Sequence, residues 1–409
     1  MNNNVNISDR GSKSLIRFVI SELKPRGKIF TPFNIISGLI ILLSLVILVI
    51  RFAKGLGSVS DASQLHPWGL WISFNVITGV AFAGGAYVLT FMVYILNMKK
   101  YHSIVRMTVL WGFLAYSFYA GALILDIGRP WNIINPIIGN SFGLSSVLFL
   151  VAWHFVLYII AQFIEFSPAI AEWLKAKRLR KILVSLTIGT VIFGITLSVL
   201  HQSGLGALFM MAKAKIHPLW YSEFLPILFL ISSIFAGLSI IIVVGSICQK
   251  VFKNQLKSDY GDSYKNIVFG FAKICAVAMF VYLFLRLLVL IHSQQWSLIN
   301  TLMGYWFLLE ILGFVLVPFI FFIYGFKHRS MLLIHIASIM TIIGIILNRL
   351  NVSMIAYLWN DPLAHYPTWM EIVVSVSVIL AQIWIFRWII YRMPILRKSP
   401  DWVPEDEEK

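Results

Sequence analysis

Residues 65–88, LHPWGLWISFNVITGVAFAGGAYV, decide the fold of this chain. Pro67 suits the first position of a helix, because the N–H that it lacks would be unsatisfied there anyway. The mostly apolar run after it is long enough to cross a bilayer. Its first turns carry His66, Trp68, Trp71 and Asn75, and small residues follow at 79, 81 and 83–86, which allow other helices to approach closely. The stretch predicts a membrane-spanning helix with a polar, aromatic pocket at one membrane surface.

The composition is that of a membrane protein. Hydrophobic residues make up 59% of 409 and charged residues 12%, with a mean hydropathy of +0.85, whereas soluble domains are about half apolar and about a quarter charged. The two cysteines, Cys248 and Cys275, are too few to ligate an iron–sulfur cluster, which takes about four thiolates. We therefore expect the two cysteines to be inert small residues.

Ten apolar runs predict an all-α, polytopic fold with ten transmembrane helices. We place the runs at 34–53, 68–96, 104–124, 147–165, 182–200, 224–247, 267–291, 304–325, 330–349 and 369–391. Residues 1–33 form an N-terminal segment, 34–391 the transmembrane domain and 392–409 a tail. The sixth run opens on His217-Pro218-Leu219-Trp220, much as the second opens on His66-Pro67-Trp68. This echo favours two four-helix bundles, helices 2–5 and 6–9, with helices 1 and 10 as additions.

Basic residues predict the orientation of the chain. If the ten helices alternate, 25 of the 33 Lys and Arg residues lie on the side of the two termini, and six lie on the other side. Cytoplasmic loops carry an excess of Lys and Arg. Both termini are therefore predicted to be cytoplasmic, and the net charge of +16 needs no nucleic acid to explain it.

Polar residues inside the spans are concentrated toward the outer end. An ionisable residue in a membrane span is costly and indicates a functional site. Arg286 and Glu310 lie at similar depths in helices 7 and 8 and are candidates to pair. The other candidates are His66, Asn75, Asp126, Arg129, His154, His201, Gln202, Asn348 and Arg349, with Glu165 and Lys273 in the inner half. Single members also have structural explanations, such as helix caps, interfacial anchors or an Asp126–Arg129 pair at i, i+3.

Haem is disfavoured by the positions of the histidines. Membrane b-type haems need two facing histidines at one depth. His154 lies toward the outer leaflet and His335 toward the inner end, so these two do not match. The sequence positions still allow His201 to pair with His66 or His154 as haem ligands.

Six motifs occur in order along the chain and resemble one known family. They are HPWGLW at 66–71, DIGRPW at 126–131, EFSPA at 165–169, LHQSGLGALF at 200–209, HPLWYS at 217–222 and NRLNV at 348–352. Over 65–352 the chain resembles the NrfD/PsrC family of membrane subunits, and within it the HybB-type subunits of hydrogenase-2 type nickel–iron hydrogenases. The resemblance implies ten helices without haem and a quinone site near the periplasmic face. It also implies two periplasmic partners, a ferredoxin-like iron–sulfur subunit and a catalytic redox subunit.

We assign expected roles for a quinone (menaquinone or ubiquinone) as follows. His66 and Asn75 would hold one carbonyl, with Trp68 and Trp71 packing the ring. The other quinone-side candidates are Asp126, Arg129, His201 and Gln202. A proton pathway would use Asp126, Glu310, Arg286, His154, Glu165 and Lys273. Partner docking would use Trp131, His217, Trp220, Tyr221, Asn348 and Arg349. Relatives often carry a carboxylate where this chain has Asn75, and an amide cannot give a proton, so the donor must lie elsewhere.

Three other functions fit parts of the pattern. The chain could serve a different respiratory complex, such as a sulfur-compound oxidoreductase. A ten-helix secondary transporter is the alternative from another class, although such proteins place broken helices and polar sites near the midplane. A purely structural anchor would keep the partner contacts without the pocket. Direction of electron flow, quinone type and proton translocation are not decided by the sequence.

Overall fold

The chain is an all-α membrane protein with ten spans. The computed structural model describes residues 12–63, 66–135, 146–256, 260–361, 366–397, 400 and 402–403, and within these ranges it contains helices and an isolated β-bridge between Ile216 and Tyr357. The membrane-spanning helices are α1 Pro32–Lys54, α2 Trp71–Ile95, α3 Lys99–Asp126, α4 Phe149–Trp173, α5 Lys177–Met210, α6 Leu225–Val251, α7 Ser263–Ser293, α8 Leu302–Lys327, α9 Met331–Ile355 and α10 Trp369–Arg392. Each predicted apolar run overlaps one of them, which confirms the prediction of ten helices.

Two four-helix bundles form the body of the molecule, as predicted. Helices α2–α5 each contact the next, and α5 returns to α2; helices α6–α9 close in the same way through α9 against α6. The bundles meet where α2 packs on α6, and α10 pairs with α1 while touching α3. The outer pair is joined by Ser377 donating to Ser44 over 2.7 Å and by the Trp384 indole donating to Ser37 over 2.9 Å.

The interface between the bundles depends on glycine. A Cβ atom at Gly237 of α6 would lie 1.9 Å from the backbone nitrogen of Gly85 in α2, and one at Gly84 would lie 2.4 Å from the Ser233 carbonyl oxygen. The two backbones are therefore in direct contact, which is the close approach that small residues allow between membrane helices. The run of small residues in α2 has the packing function predicted for it.

The chain ends mark one end of the molecule, which we call the terminal face. The Arg392 guanidinium donates to the backbone carbonyls of Glu22 and Lys24, and Arg26 donates to that of Tyr391. The opposite end, formed by the connections 55–70, 127–135, 211–224, 294–301 and 356–368, is the loop face. Residues 64–65 and 362–365 of these connections lie outside the described part.

Four stretches of the helices have π-helical hydrogen bonding. They are Trp71–Gly79 and Phe91–Ile95 in α2, Leu309–Leu316 in α8 and Asn351–Ile355 at the end of α9. Such segments are rare and frequently lie at functional sites. Three of these stretches lie near the loop face and contain the polar residues Asn75, Glu310 and Asn351.

Candidate functional site

A cleft opens at the loop face between the start of α2, the end of α9 and the start of α10. We call it the loop-face cleft. Its lining consists of Asp61, Ala62, His66, Trp68, Gly69, Leu70, Ser353, Met354, Tyr357, Tyr366, Pro367 and Glu371. Two of the predicted quinone-side residues, His66 and Trp68, therefore lie in one cleft, together with a carboxylate.

The polar groups of the cleft come from three connections. His66 Nε2 lies 3.0 Å from Asp361 Oδ2, so the two side chains share a hydrogen bond. Glu371 is 2% exposed; its Oε1 accepts from the Ser60 hydroxyl over 3.0 Å. Its Oε2 accepts from the Thr368 backbone N–H over 2.9 Å in a capping box at the start of α10. The cleft thus has an imidazole–carboxylate pair at its rim and a fixed carboxylate in its wall.

Behind Glu371 lies a buried arginine that the sequence did not single out. Arg51 of α1 donates from Nε to the Leu125 carbonyl over 2.7 Å and from Nη2 to the Ile127 carbonyl. These carbonyls flank Asp126 at the end of α3, where cations are favourable because the helix dipole is negative there. Asp126 is 7% exposed and is close enough to both Arg51 and Glu371 for their charges to interact. It lies behind the cleft rather than in its lining.

A second polar cluster, which we call the Glu310 network, is built around the carboxylate of Glu310 in the π-helical part of α8. Trp220 donates its indole N–H to Oε2 over 2.7 Å, and Asn348 donates its amide to Oε1 over 2.6 Å. Asn351 donates to Oε2 as well. Because hydrogen bonds to a charged group are stronger than neutral ones, these donors hold the carboxylate firmly inside the second bundle.

Two buried guanidinium groups complete the network. Arg349 donates to Asn348 Oδ1 over 2.8 Å and to Ser232 over 2.7 Å, and its Cζ lies 3.6 Å from the centre of the Phe229 ring. Arg286 donates to the Tyr282 hydroxyl over 3.2 Å, and the same hydroxyl accepts from Asn348 over 3.4 Å. Arg286 therefore reaches Glu310 through Tyr282 and Asn348, rather than by the direct pairing that their depths suggested.

The Glu310 network and the loop-face cleft are adjacent along α9. Asn351, which binds Glu310, precedes the cleft residue Ser353 by two positions, and Ser353 donates back to the Arg349 carbonyl over 2.7 Å. Rings connect the same two places across the bundle interface: Trp68 packs on Phe209 at 5.2 Å, and Phe209 packs on Phe229 below Arg349. The cleft thus lies over a polar interior.

A row of buried polar groups runs through the first bundle, and we call it the polar track. Gln202 donates to the Val80 carbonyl over 3.0 Å and to the Tyr116 hydroxyl over 3.5 Å. The Tyr116 ring meets that of Tyr158 at 4.5 Å, and the Tyr158 hydroxyl accepts from Gln162 over 3.0 Å. The amide oxygens of Gln202 and Gln162 have no hydrogen-bond partner among the described residues.

Glu165 and two histidines flank the polar track. Glu165 follows Gln162 by three residues toward the terminal face, and its Oε1 has no described hydrogen-bond partner. His201 places Nδ1 3.3 Å from the Val151 carbonyl, and its ring touches those of Tyr116 and Phe155. Helix α5 continues to Met210, so His201 and Gln202 lie inside it, whereas the sequence had placed them at its end. The apolar segment 204–210, GLGALFM, is the last part of this helix.

Two further quinone-side candidates of α2 face away from the cleft. Trp71 is fully buried, and its indole donates to the Glu371 carbonyl over 3.1 Å within a cluster that includes Ile47 and Val374. Asn75 is fully buried, and both polar atoms of its amide lack a hydrogen-bond partner in the described structure. Trp71 therefore supports the wall of the cleft. Asn75 is a buried amide in the π-helical segment whose hydrogen-bonding capacity is not used by the described residues.

The predicted docking residues divide into buried and exposed sets. Trp220, Asn348 and Arg349 belong to the Glu310 network, so the structure corrects their assignment: burial leaves them no surface for a partner. His217 is also buried, and its ring lies between those of Trp220 and Trp359.

The remaining candidates lie nearer the surface. Tyr221 is half-buried and donates to the Met210 carbonyl over 3.2 Å. Arg129 and Trp131 are exposed at the loop face, with Trp131 72% exposed. His154 is half-buried in α4, and Lys273 lies on an exposed face of α7, away from the cleft and from the Glu310 network.

Several site residues were missed at the level of sequence. Asp361 lies in the Asn-Asp-Pro turn before α10, and no pattern linked it to His66. Tyr282 lies four residues before Arg286, a spacing that puts both on one helix face and could have suggested their contact. Arg51 had been counted only as a basic residue at a helix end.

Comparison with known proteins agrees with this architecture. The family described as "Polysulphide reductase, NrfD" matches residues 58–360. A protein of Nitratidesulfovibrio vulgaris is 40% identical over 376 residues, 91% of this chain and 97% of the relative. The probable Ni/Fe-hydrogenase 2 b-type cytochrome subunit of Escherichia coli is 30% identical over 377 residues, 90% of this chain and 94% of the relative.

A more distant relative is the integral membrane subunit of the menaquinone reductase of Nitratidesulfovibrio vulgaris. It is 26% identical over 358 residues, 80% of this chain and 82% of the relative. The family match spans more than half of the chain. It includes the Glu310 network and the part of the cleft lining from Asp61 to Tyr357, whereas Tyr366, Pro367 and Glu371 lie beyond its end. The chain belongs to the NrfD family of integral membrane subunits.

Proposed function

We propose that this chain is the quinone-reactive membrane subunit of a respiratory redox complex and that the loop-face cleft takes the quinone head group. The observation that carries the proposal is the position of the cleft: His66, Trp68 and Glu371 line it, and Ser353 joins it to the Glu310 network two residues away. An aromatic wall with a few converging polar groups is typical of small-molecule sites. The name of the menaquinone reductase relative supports the same ligand class.

A bound quinone accepts two electrons and two protons. The chain must therefore supply hydrogen bonds to the ring oxygens and a source of protons beside them. His66, paired with Asp361, holds a proton between its Nε2 and a carboxylate at the rim. Glu371 offers a second carboxylate in the wall, with Asp126 behind it. Asn75, an amide, has no part in proton donation.

The cleft has to widen before a quinone ring can enter it. Its volume is about 30 Å³, which is room for about two water molecules. Tyr366 lines the cleft and is 77% exposed, so its side chain can swing outward without losing buried contacts. Trp68 is held from behind by Phe209 and stays as the fixed wall.

The loop face is proposed to be periplasmic, with both termini in the cytoplasm, because the excess of Lys and Arg lies at the terminal face. A ferredoxin-like iron–sulfur subunit would dock at the loop face beside the cleft and join a catalytic redox subunit. Exposed Arg129 and Trp131 are suited to that contact, since Trp and Arg are enriched at interfaces. Cys248 and Cys275 are separate, buried thiols, so electrons would arrive from the partner's cluster.

A hydrogenase is the complex that the relatives favour. The relative named as a Ni/Fe-hydrogenase subunit is 30% identical to this chain, against 26% for the menaquinone reductase subunit. The quinone would be menaquinone or ubiquinone. Co-purification from the native membrane, followed by identification of the catalytic subunit, tests the assignment directly.

No haem is part of the proposal, although one relative is named a b-type cytochrome subunit. A b-type haem needs two facing histidines with a slot for the porphyrin between them. His154 and His201 lie on the adjacent helices α4 and α5, but the His201 ring is in contact with Tyr116 and Phe155, and its Nδ1 faces the Val151 carbonyl. A porphyrin at His201 would have to displace both aromatic rings, so these residues do not fit the group.

A proton route along the polar track is a second part of the proposal. Gln202, Tyr116, Tyr158 and Gln162 follow one another from the loop-face half of the first bundle toward Glu165. Buried polar groups without protein partners are usually hydrated, and water between them would complete a chain for protons. Glu165→Gln in proteoliposomes, with an internal pH dye, tests it: loss of pH change with quinone reduction intact supports the route, and an unchanged signal rejects it.

The site itself is tested with the assembled complex. We expect His66→Gln to slow the reduction of a soluble menaquinone analogue at least tenfold, because general acid–base groups contribute about 10²-fold or more. Electron transfer from the catalytic subunit to an artificial acceptor should stay unchanged. His292→Gln, at an exposed position at the end of α7, is the matched control. If an assembled His66→Gln complex reduces quinone at the wild-type rate, the cleft is rejected as the quinone site. If the chain takes up an anion without its redox partners, the transporter alternative is favoured instead.

A further inference from the structure

A separate groove lies between α7 and α8, away from the cleft. It encloses about 320 Å³ and is lined by Lys273, Ala276, Val277, Phe280, Phe319, Phe322, Ile323 and Phe326. Val277 is 57% exposed and Phe280 58% exposed, so the groove opens to the membrane side of the bundle. The helical rise of 1.5 Å per residue puts about 10 Å between Lys273 and Phe280. The groove therefore runs from the Lys273 level toward the middle of the membrane.

Lys273 is unusual for its place. Among the residues that the structure describes, it is the one exposed charged side chain more than five residues from both ends of a membrane-spanning helix. No hydrogen bond or ion pair joins it to the described part of the chain, and every other member of the groove lining is apolar. An unpaired cation at this depth is costly, so the position points to an anion supplied from outside the chain.

A second cation lies one turn nearer the terminal face. The Arg329 guanidinium lies 4.9 Å from the centre of the Phe269 ring, and its Nη1 donates to Asn266 over 3.4 Å. Asn266, Phe269 and Lys273 recur at i, i+3 and i+7 and so lie on one face of α7. Lysine side chains extend toward the interface while their stems stay in apolar surroundings. The two cations can therefore approach one anionic group at the membrane surface.

We propose that this groove binds an anionic phospholipid of the surrounding membrane. One acyl chain would lie along the phenylalanine-lined groove, and the phosphate would lie between Lys273 and Arg329. Basic pockets between membrane helices bind such headgroups. A chain of methylenes fits the groove better than another helix does, because helix–helix interfaces in membranes are enriched in small residues and Ala276 is the one small side chain in the lining.

Native mass spectrometry of the purified protein tests the lipid preference. Phosphatidylglycerol and phosphatidylcholine with the same acyl chains are added in parallel. Each basic residue near the surface is worth about a fivefold preference for the anionic lipid. We expect Lys273→Met to reduce the preference of the wild type by about that factor. Lys181→Met, which removes an exposed lysine outside the groove near the terminal face of α5, is the matched control and should reduce the preference less than Lys273→Met does. Equal reductions by the two variants would overturn the groove as the site. Equal retention of the two lipids by the wild type would overturn the proposal.

A second experiment identifies the occupant in the membrane. A photo-crosslinking amino acid is placed at Val277, inside the groove, in cells that make the intact complex, and at Ile188, an exposed position of α5, as the control. Adducts enriched in anionic phospholipid at Val277 relative to Ile188 are expected. An adduct with a polypeptide at Val277, or the same lipid mixture at both positions, would overturn the assignment. The lipid result does not depend on quinone reduction, so the two proposals can fail separately.

Discussion

Replacing Glu310 by glutamine removes the one carboxylate of a cluster that holds two guanidinium groups. In the structure this carboxylate accepts hydrogen bonds from Trp220, Asn348 and Asn351. A glutamine keeps one acceptor oxygen and turns an amide N–H₂ toward groups that are themselves donors. It also leaves Arg286 and Arg349 without a buried countercharge. Removing one partner of a buried ionic cluster costs about 3–5 kcal/mol.

The expected loss translates into a measurable change in melting temperature. The entropy of unfolding is about 2.1 cal/mol/K per residue, so for 409 residues a change of about 1 kcal/mol shifts the melting temperature by about 1.2 °C. Glu310→Gln should therefore melt about 4–6 °C below the wild type. A thiol-reactive fluorophore suits the assay, because Cys248 and Cys275 are 1% and 0% exposed and react when the bundle opens.

A double variant, measured in the same assay, separates the effect of the lost negative charge at Glu310 from the effect of the altered side-chain shape. Adding Arg286→Gln to Glu310→Gln removes one of the two uncompensated guanidinium groups, so the double variant should lose less than the sum of the single changes. Coupling between residues of one network is about 0.5–3 kcal/mol. Glu223→Gln, an exposed carboxylate of the loop face, is the control and should melt like the wild type. A Glu310→Gln protein that melts with the wild type, or strictly additive losses, would refute the network as the stabilising element.

Three other expectations follow from the packing and the buried groups. The Gly237→Leu protein should no longer elute as a monodisperse peak in size-exclusion chromatography, because a Cβ atom at Gly237 would lie 1.9 Å from a backbone nitrogen of α2. Gly189→Leu is the control and should be tolerated, because a Cβ atom there would have nothing within 4 Å. Reduced-minus-oxidised optical spectra of the purified chain should lack haem bands; stoichiometric haem would contradict the packing around His201. Burial lowers the pKa of His217, so acid favours the unfolded chain, which binds the proton more readily. The melting temperature should therefore fall less for His217→Gln than for the wild type when pH drops from about 7.5 to about 5.5.

Depth in the membrane was predictable from this sequence, and so was the order of the helices. Ten apolar runs with small residues in the second predicted the spans and a close approach of other helices to α2, and in the structure Gly85 and Gly237 provide that approach between α2 and α6. Depth follows from counting residues at 1.5 Å each. Hence the prediction that Arg286 and Glu310 lie at similar levels agrees with their membership of one network, although Tyr282 and Asn348 stand between them.

Rotation of each helix about its axis was not predictable in the same way. The side-chain direction changes by about 100° per residue, and a π-helical turn adds a residue to the count, so small errors accumulate. The π-helical start of α2 leaves His66 and Trp68 in the cleft but turns Trp71 toward α10. The outer polar residues, which looked like one set, therefore divide among the cleft, the Glu310 network and the polar track.

The charge of the Glu310 network bears on what the cleft above it can bind. One carboxylate faces two guanidinium groups, so the cluster carries one net positive charge, and Asn351 brings it within two residues of the cleft lining at Ser353. Inside a low-dielectric bundle such a charge acts over a longer range than it would in water. It disfavours a cationic substrate and stabilises negative charge that develops on a neutral one. A quinone ring that gains electrons in the cleft before its protons arrive carries such a negative charge. The positive charge of the Glu310 network is already in place when each electron arrives, so the protein does not have to rearrange to stabilise the reduced ring.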